Sequence, residues 1–216
     1  MGENAAGRVG RYWDSRARQF DRIYRDTPLP ERILNRLFRR AIFERSKVLI
    51  REVQRLGAPT LLDVGCGSGV NSLAALEAGA AFARGVDMAP AMVKLSLQRA
   101  AEAGLSERCR FEQADFTGWS TDETFDIVAA LGVFDYVAQA EAFFSKLASV
   151  GRSSVVASFP GRGYRGRIRK VRYAVRRFPL FLYDEGQVRS WARRAGLTDF
   201  EVPFRDASGF VAIARR

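Results

Sequence analysis

The residues best equipped for chemistry are the run Asp63-Val64-Gly65-Cys66-Gly67-Ser68-Gly69 and two later acids, Asp87 and Asp115. Three glycines at alternate positions follow the apolar pair Leu61-Leu62, so a chain leaving a strand can turn sharply and meet a ligand with no Cβ in the way. A glycine-rich turn that binds nothing looks the same, and a GxG pattern alone is weak. Asp63 adds information. A carboxylate is a poor neighbour for a pyrophosphate and a good one for a cation, and the spacing is GxGxG rather than the GxGxxG of dinucleotide binders. Asp87 stands eighteen residues beyond Gly69, closing the apolar run Gly85-Val86, where a carboxylate can accept from both hydroxyls of a ribose. A nicotinamide dehydrogenase also places an acid there, so Asp87 alone does not discriminate. In Asp115-Phe116 a carboxylate able to accept from the amine of adenine precedes a ring able to offer an apolar face, with a plain loop carboxylate as the alternative.

The residue inventory removes several classes of chemistry. The chain has no histidine, the commonest general base and transition-metal ligand, so a zinc enzyme or a Ser-His-Asp hydrolase is excluded and no metal site is expected. Its two cysteines, Cys66 and Cys109, are too few for a disulfide framework and read as reduced, buried residues. No apolar run reaches 18 residues and the first ten lack a secretory core, so a soluble, cytoplasmic protein is expected. A formal charge of +11 implies a surface that attracts anions: nucleic acid, an acidic membrane or an acidic small molecule.

The elements that must position these residues follow from periodicity. With 216 residues and 47% hydrophobic content, one α/β unit with small additions is expected. Residues 1–57 read as an N-terminal helical extension, with a long helix over 31–56 carrying Ile33, Leu34, Leu37, Val48, Leu49 and Val53 at helical spacing. Thr27-Pro28-Leu29-Pro30 separates it from an earlier helical stretch. From residue 58 short apolar runs alternate with helices, the pattern of βα units and a parallel sheet. Strands are expected at 60–64, 82–86, 109–113, 125–130 and 154–158, with helices at 70–77, 90–103, 141–150 and 185–195. Two further strands, 199–204 and 209–214, are joined by a turn around Asp206-Ala207-Ser208.

On the glycine loop, Asp87 with Met88, and Asp115-Phe116, residues 60 to 158 resemble the core of the class I S-adenosylmethionine-dependent methyltransferases, and the final strand pair resembles that family's reversed hairpin. The resemblance implies a Rossmann-like, seven-stranded, mostly parallel sheet with a C-terminal antiparallel pair. It also implies S-adenosylmethionine as cofactor, with S-adenosylhomocysteine as product. Asp63, Gly65, Cys66, Gly67 and Gly69 then serve the methionine and sugar portions, Asp87 the ribose, Met88 and Asp115-Phe116 the adenine. The stretch Ala130-Leu131-Gly132-Val133-Phe134-Asp135-Tyr136 corresponds to the family's loop near the methyl group, with Leu131 among the cofactor contacts. Asp135 and Tyr136 are the candidate proton acceptors there; a helix cap and a core aromatic are the bland alternatives, and a carboxylate acceptor would need no base.

The acceptor is less legible. Residues 161–183 form an insertion in which Arg162, Arg165, Arg167, Arg169, Lys170, Arg172, Arg176 and Arg177 surround Ile168, Val171, Val175 and Phe178 at helical intervals. A solvated charged face, a cap that draws in an acidic substrate or rests on an anionic membrane, and a phosphate-contacting helix are all compatible with it. The aromatics Tyr12, Trp13, Phe20, Tyr24, Tyr164, Tyr173, Phe181 and Tyr183 are candidates to line an acceptor pocket. The N-terminal pattern Tyr-Trp-Asp to Phe-Asp and Tyr resembles the cofactor-covering helix of small-molecule O-methyltransferases. The expectation is O-methylation of a small acidic or lipophilic metabolite. An RNA methyltransferase using residues 162–177 and a non-catalytic cofactor-binding scaffold subunit are the alternatives, nucleic acid being the less favoured partner.

Overall fold

The structure, a computed structural model, describes residues 7, 10, 11, 14, 29–166, 170 and 180–216, with 29–42 described as backbone alone. The sheet has the order β3-β2-β1-β4-β5-β7-β6. Its strands are β1 (Thr60–Val64), β2 (Phe82–Asp87), β3 (Cys109–Gln113), β4 (Phe125–Ala130), β5 (Gly151–Pro160), β6 (Asp199–Asp206) and β7 (Gly209–Arg215). The helices are α1 (Leu29–Leu56), α2 (Val70–Glu77), α3 (Pro90–Glu102), α4 (Ala140–Val150) and α5 (Glu185–Arg194). β1 to β5 run parallel, and β7 lies antiparallel between β5 and β6. Strand order reverses between β1 and β4, which opens a crevice at their carboxyl ends, the usual ligand position in an open α/β sheet.

Covered on both faces, the central strands are apolar almost without interruption. Leu61, Ile127, Ala129 and Val156 pack on one face with Val48, Leu49 and Val53 of α1, Leu73 and Leu76 of α2, and Val93 of α3. Leu62, Val64, Val128 and Phe159 pack on the other with Phe143, Phe144 and Leu147 of α4 and Val188 and Trp191 of α5. The end of the stretch read as an N-terminal extension therefore supplies a wall of the core, and residue 57 marks a helix end: Gly57 stands at φ +89 and donates to the Val53 carbonyl at 3.1 Å. Local signals set the other helix ends. Pro90 opens α3 at its first turn, and the Asp184 side chain caps α5 by accepting from the Gln187 amide at 2.9 Å.

Four strands outrun their expected bounds, β2 and β7 by one residue each and β5 and β6 by more. β5 starts at Gly151, directly where α4 ends, and β6 runs on to Asp206 through Pro203. The proline is tolerated because β6 is an edge strand and its register shifts between Glu201 and Phe204, a bulge that relieves the ladder of the missing donor. In the hairpin turn Asp206 Oδ1 accepts from the Ser208 amide at 2.7 Å, its hydroxyl at 2.6 Å and the Gly209 amide at 3.1 Å.

Glu52, 1% exposed, fastens α1 to this sheet edge. Arg215 of β7 reaches its carboxylate through Nε and Nη2, both at 3.0 Å, Arg55 Nη2 lies at 2.8 Å, and Arg215 also bonds Asp199 at 2.9 Å and Glu201 at 3.1 Å. Burial pushes the Glu52 carboxyl up, but the hydrogen bonds from Arg55 and Arg215 outweigh it and hold the group at about 2, below its ordinary 4.5. Glu52→Gln is expected to lower the free energy of unfolding by about 3 kcal/mol, because it leaves the partly buried Arg215 guanidinium short of its buried counter-charge. The folded value is depressed, so the stabilisation is complete above pH 4.5 and is lost as the pH falls toward 2. Urea denaturation of both proteins at neutral pH and near pH 3 checks this: the difference between them should shrink in acid.

Candidate active site

β1 delivers Asp63 and Val64 to the crevice, and the chain then turns through Gly65 at φ +70 and Gly67 at φ +53. Gly65 is required twice over. Its backbone is left-handed, and a Cβ there would stand 2.4 Å from Val133 Cγ2, so the loops after β1 and β4 touch at this point. A Cβ on Gly67 would meet nothing within 4 Å among the described residues, so this is the side of the loop open to a ligand. The loop is tied to β2: the Gly65 and Cys66 amides donate to the Val86 carbonyl at 2.8 and 3.2 Å, and the Gly67 amide to Asp87 Oδ2 at 2.8 Å. The Gly69 amide turns back to the Cys66 carbonyl at 3.0 Å as α2 begins.

Asp63 is 1% exposed. Its Oδ2 accepts from Ser72 Oγ at 2.7 Å, while Oδ1 has no hydrogen-bond partner among the described residues, and neither has the buried Ser68 Oγ. Burial raises the Asp63 carboxyl to about 6; the Ser72 hydroxyl offsets part of the rise, and the charge of Asp87 adds to it. Burial also raises Asp87, against the amides of Ala89, Gly67 and Met88 that steady its carboxylate. Two neighbouring acids and an orphaned carboxylate oxygen make a pocket for a cation.

Cys66 turns its thiol inward: it is 5% exposed, and its Sγ lies 2.9 Å from where a Cβ on Gly85 would stand. This side therefore offers a ligand only Cys66 backbone, and burial, with Asp63 and Asp87 beside it, holds the thiol well above its ordinary range. Met88 Cγ and Sδ lie 3.5 Å from the position of a Cβ on Gly10, so the N-terminal helical residues rest on it. Asp14 Oδ1 accepts from the Ala91 amide at 2.8 Å, a cap that Ala89 cannot supply to α3. Asp115 is exposed, and its Oδ1 accepts from the Thr117 amide at 2.9 Å and hydroxyl at 2.8 Å.

The ring of Phe116 does not present the outward face expected of it. It is 4% exposed, stacked on Trp119 at 5.8 Å and set edge-on to Phe143 at 5.2 Å, with Lys146 Nζ 5.0 Å from its centroid. After β4, Leu131 is half-buried and the Gly132 amide donates to Ser158 Oγ at 2.8 Å. Asp135 is 6% exposed, its carbonyl accepting from the Phe181 amide at 3.1 Å, and the half-buried Tyr136 closes a turn onto the Val133 carbonyl at 3.0 Å. Tyr183 is mainly a core residue: its hydroxyl donates to the carbonyls of Phe134 and Val137 at 3.2 and 3.1 Å, bracing the β4 loop from beneath. An open groove of about 540 Å³ starts three residues beyond Asp135 and runs between the first turn of α4, Lys170, Phe181, Leu182 and Gln187.

Arg162 pairs with Asp184 at 3.2 Å and Arg165 lies 5.9 Å from the exposed Tyr164 ring. Most of the basic segment, with Ile168, Val171, Tyr173, Val175 and Phe178, lies outside the described residues, as do Tyr12, Trp13, Phe20 and Tyr24. Among the described residues, no helix is long and apolar enough to cross a membrane, and no cluster of three or more Cys, Asp or Glu could hold a metal ion.

Residues 61–153 match the family described as "Methyltransferase domain". Over these residues the chain is similar to methyltransferase domains. Its fold is shared with magnesium protoporphyrin IX methyltransferase from Synechocystis PCC 6803, solved with bound SAH, at a TM-score of 0.81 and 20% identity over 99% of this chain and 100% of that one. An O-methyltransferase family 2 protein from Planctomyces limnophilus, solved with apigenin, aligns at a TM-score of 0.60 and 18% identity over 73% of this chain and 51% of that one. At these identities the likeness is one of fold. Ribosomal protein L11 methyltransferase of Yersinia pseudotuberculosis is 47% identical over 53 residues, 24% of this chain. That match spans 18% of the curated relative's length.

The glycine loop should respond unequally to added methyl groups. Gly65→Ala combines a left-handed backbone with a clash against Val133 and is expected to cost about 3 kcal/mol. Gly67→Ala meets no neighbour and should cost about 1 kcal/mol from backbone strain alone. Equal losses in denaturant titrations would show that the two loops do not touch as described.

Proposed function

We propose that this chain is an S-adenosylmethionine-dependent methyltransferase that methylates oxygen on a small acidic or lipophilic acceptor by in-line transfer. The observation that carries the reading is the buried Asp63, whose Oδ1 has no partner among the described residues, beside a glycine loop open at Gly67. The cofactor suits this pocket because its amino-acid end carries an ammonium. When bound, it supplies an electrophilic methyl group on a sulfonium. Asp63 faces the positive end, Asp87 accepts from the ribose hydroxyls while its own oxygens hold the Gly67 and Ala89 amides, and Asp115 receives the adenine amine at the rim. The ring of Phe116 is committed to the core, so this residue contributes backbone to the adenine side.

With a sulfur leaving group, most of the acceleration comes from holding nucleophile, methyl carbon and sulfur in line. Asp135 and Tyr136 are the groups near the β4 loop that take a proton from a hydroxyl acceptor, whereas a carboxylate acceptor needs none. The groove beside Phe181 and Lys170 is the place proposed for the acceptor: apolar on one wall, cationic on another. Magnesium protoporphyrin IX and apigenin, named for the two fold neighbours, support a lipophilic acceptor, and the second neighbour supports oxygen as the methylated atom.

Calorimetric titration tests the class. S-adenosylhomocysteine is expected to bind with a dissociation constant on the order of micromolar, and NAD and NADP not at all. Gly67→Arg should abolish the binding while the protein stays folded, since its side chain enters the open side of the loop. Binding of a dinucleotide in place of S-adenosylhomocysteine would instead indicate an oxidoreductase.

The acid pair also predicts a pH dependence. In the free protein Asp63 takes up a proton below about 6, and a protonated Asp63 has lost its attraction for an ammonium. Affinity for S-adenosylhomocysteine should therefore be constant above that value and decline on acidification, by up to about tenfold per pH unit. Asp63→Asn should bind weakly and with a flatter profile between pH 5 and 7. A wild-type profile equally flat there would refute the pairing.

A further inference from the structure

Two helices begin at the groove beside Phe181, and their first turns are satisfied unequally. Asp184 caps α5, whereas Gln139, the residue before α4, gives its side chain to no amide. The amides of Ala140, Glu141 and Ala142 accordingly have no acceptor among the described residues, and all of these residues line the groove. Open amides at the positive end of a helix attract an anion.

A helix start alone does not make a site, but two further groups line the same groove. Gln187 of α5 carries a buried side-chain oxygen with no hydrogen-bond partner among the described residues. Half a turn of that amide puts its NH2 in the same place, so the group can donate to an anion as well as accept from a hydroxyl. Lys170 adds a full positive charge and forms no ion pair among the described residues. The nearby acids are already matched: Glu141 pairs with Arg194 at 2.7 Å and Asp184 with Arg162 at 3.2 Å. Phe181 and Leu182 give the groove an apolar surface.

We propose that this groove holds a lipophilic acid by its carboxylate, which takes hydrogen bonds from the open amides of α4 and from Gln187 and the charge of Lys170, while Phe181 and Leu182 take the apolar body. That the acid is the methyl acceptor rests on the methyltransferase reading above. Donors on both carboxylate oxygens weaken them as nucleophiles, so the group is a handle, and the oxygen that is methylated is a different one.

Two probes of one shape separate the carboxylate from the ring that carries it: naphthalene-2-carboxylate and its uncharged counterpart naphthalene-2-carboxamide. In an amide-resolved NMR titration of the full chain, the carboxylate is expected to shift the Ala140, Glu141 and Ala142 amides and the Gln187 side-chain NH2, with half-saturation on the order of a millimolar. The carboxamide should bind at least about fivefold more weakly, having lost the charge-assisted bonds. Lys170 is exposed, so Lys170→Met should leave the fold intact. It is expected to weaken the carboxylate about threefold and to change the carboxamide by less than about twofold. Absence of shifts at the α4 amides, equal binding of the two probes, or an unchanged carboxylate affinity in Lys170→Met overturns the site. The titration needs no cofactor, so its failure leaves the S-adenosylmethionine reading standing. Failure of S-adenosylhomocysteine to bind would instead remove the acceptor role and leave the carboxylate site in place.

Discussion

A carboxylate buried at the end of the central strand, with one oxygen bonded to Ser72 and the other without a partner among the described residues, works against folding. Proteins keep such groups where function requires them, and here the surrounding structure holds Asp63 in place. β1 has neighbours on both sides, Leu61 and Leu62 are sealed into opposite faces of the sheet, and the glycine loop is hydrogen-bonded to the end of β2. The geometry at Asp63 is thus over-determined by packing that would persist if the carboxylate were changed.

The reversal of strand order beside β1 turns that local strain into a site. Because β2 and β4 flank β1 and their connections leave on opposite sides, the loops after β1 and β4 diverge enough to form a crevice yet still touch at Gly65 and Val133. The far edge contributes indirectly. Arg215 of β7 grips Glu52 of α1, which fixes the helix whose earlier turn docks Ser46 onto Asn71 at the start of α2.

Much of this was legible in the sequence, for physical reasons that differ by element. Strands buried on both faces must be apolar throughout, so β1, β3 and β4 were recognisable to the residue. Asp63 and Asp87 declared themselves because an acid beside glycines at the end of an apolar run has few structural uses. Side-chain direction was not readable in the same way. Phe116 follows Asp115 in sequence, yet its ring turns into a pocket made by Trp119 and Phe143, and Tyr183 braces a loop forty-odd residues earlier. Neither partner is visible in local spacing.

The sequence by itself determined the fold class, the glycine loop and the acids that surround it, because those depend on residue types within one βα unit at a time. The tertiary structure alone decided which long-range neighbours complete the site. Glu52 lies 163 residues from the Arg215 that grips it, and Asp14 lies 77 residues from the amide it caps. Their roles exist only once α1 and the N-terminal residues pack against elements far away in the chain, and charge at a helical position carries no record of what will stand opposite it.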